Sequence, residues 1–164
     1  LAEGNPLSCS GVYIERDLFL EHRFDESPKL VASEDWHCWI RIAADCLPVL
    51  CPGDGAVVVD HAGRTMAADR WNVAEHRFAF LTEDLLAHPE VVEFLRPNLA
   101  LFLATQDHYV AVKAAGERAF RVSVVRFLRA VRRYPPLIST RRTVHLIRLW
   151  CQLPFNRVRR VNTD

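Results

Sequence analysis

The sequence predicts an α/β first part followed by a helical extension, with the change at about Met66. Two observations lead there. Short apolar or β-branched runs at Ser8 to Ile14, Leu47 to Leu50 and Ala56 to Asp60 alternate with helical stretches. Beyond Met66 the apolar residues recur only at helical spacing. The charge is also divided. Residues 1–117 hold 9 Lys+Arg against 19 Asp+Glu, a balance of −10, whereas residues 118–164 hold 12 Arg against the single acid Asp164, a balance of +11. The two balances give the net charge of +1.

Taken in order, Ser8 to Ile14 reads as a buried strand in which Gly11 allows close approach of a backbone or ligand. Glu15 to His22 reads as a short helix, and Asp25 to Ser33, with Pro28, as a loop. Glu34 to Asp45 is a helix. Leu47 to Leu50 reads as a strand ended by the turn signal Pro52-Gly53-Asp54-Gly55. Ala56 to Asp60 reads as a further strand, and His61 to Thr65 as a loop. Ala67 to Ala87 places Trp71, Ala74, Phe78, Leu81 and Leu85 near one helical face, before a break at His88-Pro89. Glu90 to Glu117 reads as one or two helices, since Pro97 permits a fresh start. Arg118 to Arg133 is the clearest amphipathic helix. Phe120, Val124, Phe127, Leu128 and Val131 share one side, and Arg118, Arg121, Arg126, Arg129, Arg132 and Arg133 the other. Tyr134-Pro135-Pro136 stops it, and Ser139 or Thr140 caps a last helix running to about Cys151.

The richest segment is Ser33 to Ala43. Trp36, Trp39, Ile40 and Ala43 fall at i, i+3, i+4 and i+7, one face of a helix. Ser33 stands at the N-cap, and Glu34 and Asp35 occupy the first turn, where carboxylates favour the positive helix end. Capping alone explains these acids. The same arrangement also holds two carboxylates at a rigidly backed point, as a catalytic base requires. The tryptophans read as core rather than as sugar-stacking platforms.

The five cysteines, Cys9, Cys38, Cys46, Cys51 and Cys151, form no C-x-x-C pair and match no common zinc spacing. They read as thiols that are neither metal ligands nor disulfides, with Cys38, Cys46 and Cys51 buried among apolar neighbours as small hydrophobes. No apolar run reaches the ~20 residues of a membrane span. The one-sided arginines suit an anionic membrane surface, or neutralise the acidic first part of the chain. No recognition motif points to nucleic acid.

Three features in one order carry a resemblance: Phe24-Asp25-Glu26, then Glu34-Asp35 followed by Trp36-x-x-Trp39-Ile40-Arg41, then His61 after Val57-Val58-Val59-Asp60. Over roughly residues 5 to 88 the chain resembles the C-terminal half of a family 2 glycosyltransferase of the GT-A type. The resemblance implies that residues 1–66 are the acceptor-side part of a Rossmann-like GT-A domain and that residues 67–164 are a helical extension. It implies an inverting transfer from a nucleotide-sugar donor to the hydroxyl of a saccharide or lipid-linked acceptor, in cell-surface polysaccharide or glycolipid assembly. By the same resemblance Asp35 is the base, and Glu34 orients the loop or hydrogen-bonds the acceptor. His61 stands where some members have a further metal ligand, for Mn²⁺ or Mg²⁺, or a diphosphate contact, and the guanidinium fork of Arg64 by its own chemistry suits a phosphate. The location implied is cytoplasmic, peripheral on the inner face of the membrane. Arg23 stands where the family has Gly before the Phe-Asp-Glu turn. Ala67 breaks the Gln-x-x-Arg-Trp pattern that Arg70-Trp71 would complete, which argues against processive synthesis. With neither Asp-x-Asp nor a Gly-rich phosphate loop, the expectation is a fragment that is inactive alone. The rival expectation is a non-catalytic helical adaptor docking on anionic lipid or protein through its arginines.

Overall fold

The computed structural model describes residues 1–7, 9–49, 51 and 69–152. Seven helices order the described chain: α1 (Arg16–Glu21), α2 (Glu34–Asp45), α3 (Trp71–Leu86), α4 (Pro89–Leu95), α5 (Leu99–Gly116), α6 (Phe120–Arg133) and α7 (Arg141–Gln152). Among the described residues there is no strand and no sheet, so the expected α/β, Rossmann-like GT-A class is corrected to an all-helical one. A strand needs a ladder partner and a face to bury. The first expected strand has neither: Cys9–Gly11 is a 3₁₀ turn and Tyr13 is 91% exposed. Leu47 and Val49 are likewise exposed, in irregular chain around Pro48. The expected strand Ala56 to Asp60 lies outside the described residues.

The helix stops follow simple chemistry. Pro89 opens α4 at its first turn, where a missing N–H is harmless. Pro97 sits in the 3₁₀ turn Arg96–Asn98, which separates α4 from α5. After α5 the chain forms a Schellman-type reversal. Arg118 takes φ 64°, its N–H donates to the Ala115 carbonyl (3.0 Å), and the Ala119 N–H donates to the Ala114 carbonyl (2.8 Å).

The described residues fall into two compact units, 1–69 with 76–102, and 70–75 with 103–164. In the first, Trp36 meets Phe78 and Phe102 (ring centroids 5.9 and 5.4 Å), and Leu30, Ile40, Leu81 and Leu85 are wholly buried beneath α2 and α3. A buried bidentate pair, Arg77 to Asp69 at 2.9 Å through both guanidinium nitrogens, belongs to the same unit. In the second, small residues of α5 (Ala104, Ala111, Ala115) lie against Phe127 and Ala130 of α6, Leu137, and Leu146 of α7. The Ser123 hydroxyl fastens α6 to α5 by donating to the Ala111 carbonyl (2.7 Å). It accepts from Trp150 Nε1 of α7 (2.8 Å). Among the described residues no helix is long and apolar enough to cross a membrane.

Candidate functional site

The entry to α2 is a strained turn. Ala32 adopts φ 70°, the left-handed region that an L side chain occupies at a cost of about 1–2 kcal/mol. Ser33 follows at the N-cap position, but its hydroxyl makes no capping bond. The Asp35 carboxylate acts instead, with Oδ1 accepting from the Trp36 N–H at 2.7 Å. Glu34 is exposed and Asp35 half-buried. Burial pushes the Asp35 carboxyl above its ordinary range, and Glu34 adds to the push. The Trp36 N–H and the Asn5 side chain work the other way. Cys9 lies close enough for Asp35 and Glu34 to raise its thiol, after burial. Asp35 is thus a carboxylate of increased basicity, backed by a helix and bordered by the N-terminal segment. Such a group can take a proton from a hydroxyl placed against it.

The Phe24-Asp25-Glu26 turn is packed onto the same helix. Phe24 meets Phe19 (5.5 Å) and Trp39 (5.6 Å) edge-on. The Cys38 thiol donates to the His22 carbonyl at 2.9 Å, and burial pushes that thiol up to about 11. Asp25 Oδ1 accepts from the Ser27 N–H at 2.7 Å, closing the turn. Phe24 of the first motif thus packs on Trp39 of the helix that Glu34 and Asp35 open. Trp36 and Trp39 are core residues, as their spacing predicts.

His37 was not on the predicted apolar face, yet it is 1% exposed. Its ring joins Asp25 and Asp84 in a group whose potential ligand atoms lie within 4.8 Å of one another. The residue types suit a divalent cation, and the hydrogen bonds of the ring decide which of its nitrogens could meet one. Nε2 already bonds Asp84 Oδ2 at 2.8 Å, and Nδ1 is buried without a hydrogen-bond partner. Metal on Nε2 would force the proton onto Nδ1, where no acceptor waits, whereas metal-binding histidines almost always donate from the second nitrogen. A neutral ring donating through Nε2 to Asp84 leaves the Nδ1 lone pair free, and a cation there would keep Asp84 as the partner of the ring and not as a ligand. Burial favours that form by holding the His37 pKa below its ordinary value. Nothing in the sequence joined these three residues, because they come from a turn, α2 and α3.

The predicted metal residue His61 and phosphate contact Arg64 lie outside the described residues. Of the cysteines, Cys38 alone is buried, and Cys9, Cys46, Cys51 and Cys151 are exposed free thiols. Apolar neighbours in sequence did not guarantee burial of Cys46 and Cys51.

A second polar centre lies in the other unit. Asp107 of α5 has a nearly buried side chain and receives three arginines of α6. Arg126 Nη1 lies at 2.8 Å, Arg129 Nε at 3.5 Å, and Arg133 forms a direct hydrogen bond. Arg126 also pairs with Glu75. Burial pushes the Asp107 carboxyl up, and Arg133 and Arg129 oppose that push. The signal was available in sequence. One acid within the apolar run Leu99 to Ala115 needs a cation, and Arg126, Arg129 and Arg133 fall at i, i+3 and i+7.

Comparison with protein-family models, with curated proteins and with solved structures gave no match.

Proposed function

We propose that this chain supplies the acceptor side of an inverting sugar transferase, with Asp35 as the base. The observation that carries the reading is Asp35 itself. It is a half-buried carboxylate with raised proton affinity, on the first turn of a helix whose Trp39 also anchors the Phe24-Asp25-Glu26 turn. In the reaction the acceptor oxygen attacks the anomeric carbon and its proton passes to Asp35. The bond from that carbon to the nucleoside diphosphate breaks, and the diphosphate leaves with the electron pair. Glu34, exposed beside the base, hydrogen-bonds the acceptor. The reading rests on these residues and their packing, not on a Rossmann-like fold.

Donor binding belongs to protein outside the described residues. Arg64 and His61 are its contributors from this chain, and a divalent ion, Mn²⁺ or Mg²⁺, would offset charge on the leaving diphosphate. The Asp25, His37 and Asp84 group is given no part in it. A cytoplasmic setting at a membrane surface completes the reading, and five unpaired thiols accord with a reducing compartment.

The test is Asp35→Asn in the full-length protein, assayed for transfer from nucleotide sugars. We expect kcat to fall by roughly 10²-fold or more, with donor binding within a few fold, because a base acts on the chemical step. Near-normal kcat in Asp35→Asn together with a collapse in Glu34→Gln would invert the two roles. Full activity in both variants would remove the reading. The arginines of α6 favour a second one, a non-catalytic helical adaptor docking on anionic lipid or protein. It is supported if the full-length protein binds no nucleotide sugar with Mn²⁺ or Mg²⁺ present.

A further inference from the structure

Three of the arginines on α6 reach Asp107, with Arg129 still half exposed, and a different stripe of the helix faces out. Arg121, Val125, Leu128 and Arg132 follow at i, i+4, i+7 and i+11, one line along the helix, and all four are exposed. Val125 is 63% and Leu128 60% exposed, so the centre of the line is apolar and both ends are cationic. α7 repeats the pattern with exposed Arg141, Val144 and Arg148 at i, i+3 and i+7. Residues 118–152 contain no acid at all. Among the described residues Arg121 and Arg132 have no ion-pair partner.

We propose that this outer stripe of α6, extended by α7, is a docking surface for an anionic lipid bilayer. The helix would lie in the interface plane, with Val125 and Leu128 entering the headgroup–acyl boundary and Arg121 and Arg132 reaching headgroup phosphates. α6 spans about 21 Å at 1.5 Å per residue, a length suited to lying on a bilayer rather than crossing it. The composition discriminates against other occupants. Nucleic acid would use the arginines but leave two exposed aliphatic side chains unburied at the centre of the contact. A second copy of the chain seated face to face on this stripe would set arginine against arginine, which is repulsive. An anionic bilayer satisfies both the charge and the apolar centre. The proposal does not rest on the sugar-transfer reading, and its test needs no catalytic activity.

The experiment is co-sedimentation of the chain with vesicles of phosphatidylcholine alone and of phosphatidylcholine with phosphatidylglycerol. Circular dichroism confirms the fold of each variant. We expect binding only to the anionic vesicles, falling as salt is added. Arg121→Gln with Arg132→Gln should weaken partitioning about 30-fold, from about 1 kcal/mol per basic residue. Val125→Ser with Leu128→Ser should weaken it at least as much while leaving the arginines in place. Equal binding to neutral vesicles, or anionic binding indifferent to both pairs of changes, would overturn the proposal. So would loss of single-stranded RNA binding without loss of vesicle binding, or stripe changes that abolish a concentration-dependent dimer instead. Either variant pair being folded suffices for the test, because each removes a different half of the proposed contact.

Discussion

α2 and α6 are helices of similar length that are buried in opposite ways. α2 buries Trp36 through Ile40 in an unbroken run, together with Ala43, so it is covered on more than the face its periodicity defines. α6 buries Ser123, Phe127 and Ala130, a single narrow line, and carries five arginines. The difference decides where charge can go. On α2 the acids are confined to the ends, Glu34 and Asp35 at the start and Asp45 at the finish, and the half-buried Asp35 acquires raised proton affinity there. On α6 charge runs along the whole length, and it divides according to whether a counter-ion exists. Arg126, Arg129 and Arg133 meet Asp107, whereas Arg121 and Arg132 face out. An enclosed helix therefore tunes one terminal group, and a surface helix distributes many.

The largest way to break this contrast is Trp36→Ala. Trp36 is 5% exposed, meets Phe78 and Phe102, and donates from Nε1 to the Leu1 carbonyl at 3.1 Å. Its truncation should cost about 3–5 kcal/mol, read as a lower urea midpoint. Leu128→Ala on the exposed stripe should stay within about 0.5 kcal/mol. Similar losses in both would mean that the two helices are not differently enclosed.

The next effect is pH. His108 of α5 is 2% exposed, its Nε2 lies 3.1 Å from the Thr143 hydroxyl, and its ring meets Phe127 of α6. Burial, then the charge of Arg142, holds its pKa down at about 4, against an ordinary 6.5. The unfolded chain therefore takes up this proton first as pH falls. The stabilisation is complete above about 6.5 and is lost progressively towards about 4, at about 1.4 kcal/mol per pH unit and about 3 kcal/mol in all. His37, buried in α2 and also lowered, acts with the same sign. Urea midpoints at pH 7.5 and 5.0 should show the decline in the parent chain, and His108→Gln should flatten it. An equally steep decline in the variant would mean that His108 already carries its proton in the fold.

How far the sequence disclosed all this depended on the range over which each feature is determined. Helix positions were legible because spacing, prolines and caps act locally, so Glu34–Asp45 matches its predicted bounds. The strands were not, because a strand exists only if a distant segment pairs with it. Tyr13, Leu47 and Val49 had the residue types without the partner. The apolar side of α6 was legible only in part: Phe127 is buried, but Phe120 and Leu128 are exposed, and Ser123 is buried by its bond to Ala111. Asp35 was legible from its place in the first turn. Its border with Asn5 and Cys9 was not, since that depends on where the N-terminal segment returns.

A smaller effect sharpens the account of the arginines. Asp107→Asn removes the counter-ion while keeping the shape, leaving Arg126, Arg129 and Arg133 facing one another. Losing a partner from a buried pair commonly costs 3–5 kcal/mol. Burial already disfavours the charged form of Asp107, and Arg129 is half exposed, so we expect about 2 kcal/mol. Added salt should relieve part of that loss by screening the three guanidiniums. No loss of stability would mean that the three arginines are as content in water as on Asp107, and the division of α6 into inner and outer arginines would fail.

The smallest effect concerns how the two helices are entered. Each follows a non-glycine residue in the left-handed region, Ala32 two positions before α2 and Arg118 two positions before α6. Glycine removes the Cβ clash there but adds freedom to the unfolded chain. The first term is about 1–2 kcal/mol and the second about 0.4–1 kcal/mol, so each substitution should raise stability by up to about 1.5 kcal/mol. Arg118→Gly should do so without other consequence, because the Schellman bonds use only backbone. Ala32→Gly loosens the turn that aims Ser33, Glu34 and Asp35, so a stability gain there should come with lower activity if Asp35 is the base. A gain in stability with unchanged transfer rate would show that the turn's strain is incidental to the chemistry. A loss of stability in both variants would mean that unfolded-chain entropy outweighs the clash at these positions.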